Sequence, residues 1–155
     1  MICNYFFPDF VEISLFNKFL FNPLKFNEMK STENALNWFE IAVNDISRAK
    51  KFYETVFDIE MQQMDMNGML MAFFPTENMS TNVGGGLVQH EMYKPSADGA
   101  VIYLNGNPDL ALPLGKVEGA GGKVVMPKTL INEEIGYMAF FKDTEGNKVA
   151  MHSNK

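Results

Sequence analysis

The chain has 155 residues with 13 Lys and Arg against 19 Asp and Glu, a formal net charge of −6. That length suits one domain, or two small modules completing one core. The acidic balance and the lack of any basic run exclude a surface built for nucleic-acid phosphates. The single cysteine, Cys3, has no partner for an internal disulfide. A reducing, cytoplasmic setting is therefore the expectation.

The first 28 residues differ from the rest. MICNYFFPDFVEISLFNKFLFNPLKFNE holds seven of the fourteen Phe residues. Asp9 and Glu12 interrupt its apolar residues, and Pro8 and Pro23 break any helix. It therefore fits neither a signal peptide nor a membrane span. The expectation is that residues 1–28 lie outside the domain, with the native start at Met29 and the upstream residues a mis-set start. An apolar arm over a surface or a neighbouring subunit is a second reading, and a weak membrane-associated anchor a third. The domain is then 29–155, with modules at about 34–92 and 98–155.

From residue 36 the chain alternates as a strand to Val43. Phe39, Ile41 and Val43 form one face; Trp38, Glu40 and Ala42 form the other. Asp45 is placed to cap a helix. Ala49, Phe52, Tyr53, Val56 and Phe57 then recur at helical spacing, which predicts a helix over 46–57. Three strands come next, over 59–66, 69–74 and 83–90. Asn67-Gly68 is the two-residue signal of a type I′ hairpin. Gly84, Gly85 and Gly86 indicate close backbone approach.

The same order then repeats. AVIYLN predicts a strand over 100–105. DLALPLGKVEGAGG predicts a helix over 109–119, weakened by Pro113 and ended by Gly121 and Gly122. KVVMPKT, YMAFFKD and KVAMHS read as three more strands, the last two joined by the turn DTEGN. The result is α+β: two tandem βαβββ modules.

The stretches NWFEIAVNDISRAKKFYETVF, GGGLV, KPSADGAVIYLN and IGYMAFFKDTEGNKVAMHS resemble the vicinal oxygen chelate superfamily. It includes glyoxalase I, bleomycin-resistance proteins and extradiol dioxygenases. The likeness covers about 34–153 and is closest to a small glyoxalase-like branch. It implies curved sheets around a cleft with helices packed outside, and a homodimer. Trp38 and Glu40 would then look into the cleft.

The resemblance also implies where a divalent ion would be held, on the first and last strands of each module. Those positions fall at Trp38, near Val88, at about Gly99 and at Ala150. None of these side chains ligates a metal, so the expectation is a cleft without the usual metal and without a cofactor. His90 and His152 stand two residues past Val88 and Ala150, on the same parity. They are read as a rim pair for a ligand or a weak metal, or as strand-end residues in solvent. Glu40 is read either as a cleft carboxylate, general base or acceptor, its pKa raised beside Trp38, or as a structural group. Val101 and Tyr103 share parity with Gly99 and complete the candidate cleft. Met64, Met66, Met69 and Met71 flank the Asn67-Gly68 turn as adaptable apolar lining. Lys128 and Tyr137 stand where strands meet loops.

Three functions are expected on these grounds. The first is a metal-free binding protein for a small organic molecule, aromatic or not, with Trp38 as the stacking wall and no nucleic-acid or membrane partner. The second is a glyoxalase-type lyase or isomerase working through Glu40 or through a metal on Glu40 and His90. The third is a structural or regulatory module with a vestigial cleft.

Overall fold

The structure, a computed structural model, describes residues 34–78 and 81–155. The expectations placed on residues 1–28 lie outside the described residues. Residues 36–155 form one compact unit.

The chain enters strand β1 (Trp38–Ala42), shorter than the predicted 36–43, and then helix α1 (Ile46–Phe57), with the bounds the periodicity predicts. Asp45 caps α1, its side chain accepting the Arg48 N–H at 3.0 Å. Asp58 ends the helix in the left-handed region. Strands β2 (Gln62–Met66), β3 (Met69–Phe73) and β4 (Gly84–Gln89) come next. Asn67 and Gly68 both take positive φ, 56° and 91°, as a type I′ hairpin requires. The first sheet has the order β1-β4-β3-β2, with β1 parallel to β4.

The second half repeats this plan with β5 (Tyr103–Asn105), α2 (Ala111–Leu114), β6 (Lys123–Asn132), β7 (Gly136–Lys142) and β8 (Lys148–Ser153). Its sheet has the order β5-β8-β7-β6, with β5 parallel to β8. These are the two tandem βαβββ modules of an α+β fold.

Helix α2 departs from expectation: a single turn stands where 109–119 is predicted helical. Pro113 has no N–H to donate, and Gly115 and Gly119 lower the helical preference of the residues after it. The backbone continues in tight turns instead, Lys116 N–H to Pro113 and Val117 N–H to Leu114. Strand β5 is likewise shorter than the predicted 100–105.

Both modules feed one core. Ile41 and Val43, at and just past the end of β1, pack with Ala49, Phe52, Tyr53 and Val56 of α1, and with Phe141, Val149 and Met151 of the second sheet. The rings of Phe52 and Phe141 lie 6.0 Å apart. Helix α1 therefore covers the face of the first sheet opposite Trp38, and truncating a core ring such as Phe52 would cost about 3–5 kcal/mol. Gly85 has its own reason: a Cβ there would stand 2.3 Å from the Phe39 ring.

Polar groups also tie the modules. The buried Tyr53 hydroxyl donates to Asp143 at 2.9 Å. Asn147 donates to Asp143 and to the Ala42 carbonyl, both at 2.8 Å. Glu145 accepts the N–H groups of Asn44 and Asp45 at 2.9 and 3.2 Å, and binds Arg48 through both its oxygens. A second-module carboxylate thus sits at the positive N-terminal end of the first module's helix. Burial pushes the Glu145 pKa up, but the Arg48 and backbone hydrogen bonds outweigh it and hold it below its ordinary value.

Candidate functional site around Trp38

The pairing of the first sheet fixes which residues share a face. Glu40 registers with Gly86, Gly86 with Phe73, and Phe73 with Gln62. One row along, Ala42 meets Val88, Met71 and Met64. Trp38, Glu40, Phe73 and the methionines Met64 and Met71 therefore face away from α1. Trp38 packs on Phe73, centroids 6.0 Å apart. Its indole N–H donates to Glu40 Oε1 at 3.2 Å. The pull of the same carboxylate on the Tyr93 hydroxyl proton, together with its charge, raises the Tyr93 pKa. Glu40 is thus a carboxylate that accepts one aromatic donor of its own chain and acts on a second aromatic hydroxyl.

Trp38 borders two cavities. The larger, about 900 Å³, lies between the β1 and β5 edges of the two sheets. Leu36, Trp38, Phe57, Val101, Ile102 and Tyr103 contribute to its largely apolar wall. The smaller, about 420 Å³, is bordered by Trp38, Phe73 and Phe74 with the polar side chains of Glu60, Gln62 and Thr76.

The sequence candidates are distributed unevenly over this geometry. Trp38, Val101 and Tyr103 come together in the larger groove. Tyr103 also meets Phe140 edge-on at 5.8 Å. Val88 and Ala150 are on the expected faces but fully buried. His90 borders a different, polar hollow of about 490 Å³ with Tyr93 and Lys94, and its Nδ1 accepts the Met92 N–H at 3.3 Å. His152 is tied by Nε2 to the Ile135 carbonyl at 2.7 Å. The two histidines are therefore each engaged with backbone. Gly99 has positive φ and open space about it, and lines none of these cavities. Lys128 lies 4.5 Å over the Tyr137 ring and binds Asp109 at 2.6 Å, which lowers the Asp109 pKa.

Tyr93, Glu60, Gln62 and Thr76 escape the sequence reading. For Glu60 and Gln62 a signal existed: they share parity with Met64, on the Trp38 face. Tyr93 and Thr76 stand on connecting segments, where no period assigns a direction.

The positions that the resemblance assigns to a divalent ion hold Trp38, Val88, Gly99 and Ala150, whose side chains are not donors. Among the described residues no three His, Cys, Asp or Glu side chains come together.

Residues 35–74 match the family model described as bleomycin resistance protein-like N-terminal. Among solved structures the chain is similar to hypothetical protein SA1046 from S. aureus, at 22% identity and TM-score 0.55, over 75% of this chain and 94% of that one. It is similar to a glyoxalase/bleomycin resistance protein from Albidiferax ferrireducens T118, at 16% identity and TM-score 0.60, over 79% and 100%. Glyoxalase I from Zea mays matches at 19% identity and TM-score 0.57, over 76% of this chain but 44% of that one. At these identities the likeness shows the fold. No match is found among the curated proteins. The chain thus has the fold of the vicinal oxygen chelate superfamily. Within it, residues 35–74 carry the bleomycin-resistance-like sequence pattern.

Proposed function

We propose that this protein binds a small organic, aromatic molecule in the cleft beside Trp38, without a resident divalent metal. One observation carries this reading: the Trp38 indole forms a wall of two adjoining cavities while its N–H is fixed by Glu40. Aromatic walls with few polar groups, in a cavity of several hundred Å³, are the usual make-up of small-molecule sites. The general-base reading of Glu40 draws less support, because its carboxylate already accepts the Trp38 indole N–H. A homodimer and a cytoplasmic setting belong to the same proposal, the latter supported by the lone cysteine. No helix among the described residues is long and apolar enough to cross a membrane.

Trp38 is the only tryptophan, so its emission reports on the cleft without a label. Small aromatics are expected to shift that emission saturably. Trp38→Ala is expected to cost about 1–3 kcal/mol of binding while leaving the fold intact. If Trp38→Ala unfolds the chain instead, the indole is packing and the proposal fails. Stoichiometric divalent metal in the purified protein would overturn the metal-free part, and a monomer in size-exclusion chromatography would overturn the dimer.

A further inference from the structure

The smaller cavity behind Trp38 is ringed by polar groups that the fold does not use. Thr76 Oγ1 is buried and has no hydrogen-bond partner. An unmet buried hydroxyl is costly and rare in a folded chain. Among the described residues, the Glu60 carboxylate and the Gln62 amide also have no hydrogen-bond or ion-pair partner. Glu40 by contrast accepts the Trp38 indole N–H. The buried, unmet Thr76 hydroxyl and the solvent-exposed side chains of Glu60 and Gln62 therefore border one aromatic-walled space of about 420 Å³.

The chemistry of the set narrows what it would accept. Glu60 brings a negative charge, and among the described residues no Lys, Arg or His borders the cavity to offset it. Gln62 and Thr76 both have acceptor oxygens. Trp38 and Phe73 supply aromatic surface, and an indole is the side chain that best attracts a cation to its face. The net charge of −6 favours the same sign of ligand.

We propose that this cavity receives a planar cation with several N–H donors, of the aryl-amidinium or aryl-guanidinium class. Its ring lies against Trp38 and Phe73, and its N–H groups reach Glu60, Gln62 and Thr76. This rests on the small-molecule reading of the Trp38 cleft and adds the ligand's charge and hydrogen-bonding character.

The test titrates the full-length chain with benzamidine, benzoate and benzyl alcohol, rings of similar size and different charge, following Trp38 emission. Benzamidine is expected to bind at least about tenfold more tightly than benzoate. Glu60→Gln is expected to weaken benzamidine about tenfold and leave benzyl alcohol unchanged. Glu77→Gln removes an exposed carboxylate that does not border the cavity, and is expected to leave benzamidine binding unchanged. Thr76→Val, close in shape, is expected to weaken benzamidine without lowering Tm, since it deletes an unmet hydroxyl. Equal binding of benzoate and benzamidine overturns the inference. So does parental benzamidine affinity in both Glu60→Gln and Thr76→Val, or an equal loss in Glu77→Gln. In those cases aromatic binding itself still stands. If no ring of any charge moves the emission, both the inference and the binding reading fall.

Discussion

Trp38 donates its indole N–H to the carboxylate of Glu40, two residues along the same strand face. This explains why one half-covered strand points an indole and a carboxylate the same way: each satisfies the other's polar atom. Tyr93, on a connecting segment, has its pKa raised by the same carboxylate.

Removing the Glu40 charge should therefore be felt at Tyr93. Glu40 raises the Tyr93 pKa through its pull on the hydroxyl proton and its charge. Glu40→Gln is expected to lower it towards the ordinary 10.0, followed by the ring's NMR signals against pH. A Tyr93 titration unmoved by Glu40→Gln would show that the two groups do not interact in solution.

The contact between Glu145 and the start of α1 predicts the acid limb of stability. The pKa of Glu145 is lowered from 4.5 in the folded chain. Its contribution is therefore complete above that unfolded value and is lost as pH falls through the folded one. Glu145→Gln is expected to destabilise by about 1–3 kcal/mol at neutral pH, because the side chain is fully covered and accepts charged and backbone donors. Denaturant melts across the acid range should show a shallower decline in the variant than in the parent. Equal slopes would rule this out.

Tyr53 predicts the alkaline limb. Burial, and then the Asp143 charge, push its pKa well above 10.0. A raised folded pKa gives stability that is complete below the unfolded value and lost as pH rises towards the folded one. Tyr53→Phe is expected to remove that part of the alkaline decline. At neutral pH the same change should cost about 1–2 kcal/mol for the lost hydrogen bond to Asp143. A variant as alkali-sensitive as the parent would contradict the assignment.

The fold could be read from the sequence wherever a period or a turn rule applied. Helix α1 and its Asp45 cap, the Asn67-Gly68 hairpin and the assignment of Trp38 to the face away from α1 all came from spacing. Helix α2 could not be read as closely, because an apolar pattern at helical spacing does not reveal how far Pro113, Gly115 and Gly119 shorten the hydrogen-bonded run. The site was legible only through residues on strands. Parity places Trp38 and Glu40, but it says nothing of Tyr93 or Thr76, whose directions are set by segments without a repeat. Burial was also hidden: Val88 and Ala150 have the parity of cleft residues yet are closed off by packing that no single strand reveals.

Gly85 offers a local test of how β4 meets β1. A Cβ at this position would meet the Phe39 ring at 2.3 Å, and that ring already packs on Phe74 with centroids 5.5 Å apart. Gly85→Ala is expected to cost about 1–3 kcal/mol by overpacking. Gly68→Ala tests something else, since that Cβ meets nothing within 4 Å and only the φ of +91° resists it. A thermal melt of Gly85→Ala matching the parent would mean that Phe39 moves aside freely.

The bonds that finish α1 come from far along the chain. Asn44 and Ala42 find their partners 101 and 105 residues later, and Tyr53 finds Asp143 90 residues later. During synthesis, the first module therefore emerges from the ribosome with the Asn44 and Asp45 N–H groups ahead of its helix unmet and one side of its core bare. Neither is completed until the turn at Asp143 to Asn147 has emerged. The repeat reads as two units on paper, but the core they share closes only once both have been made.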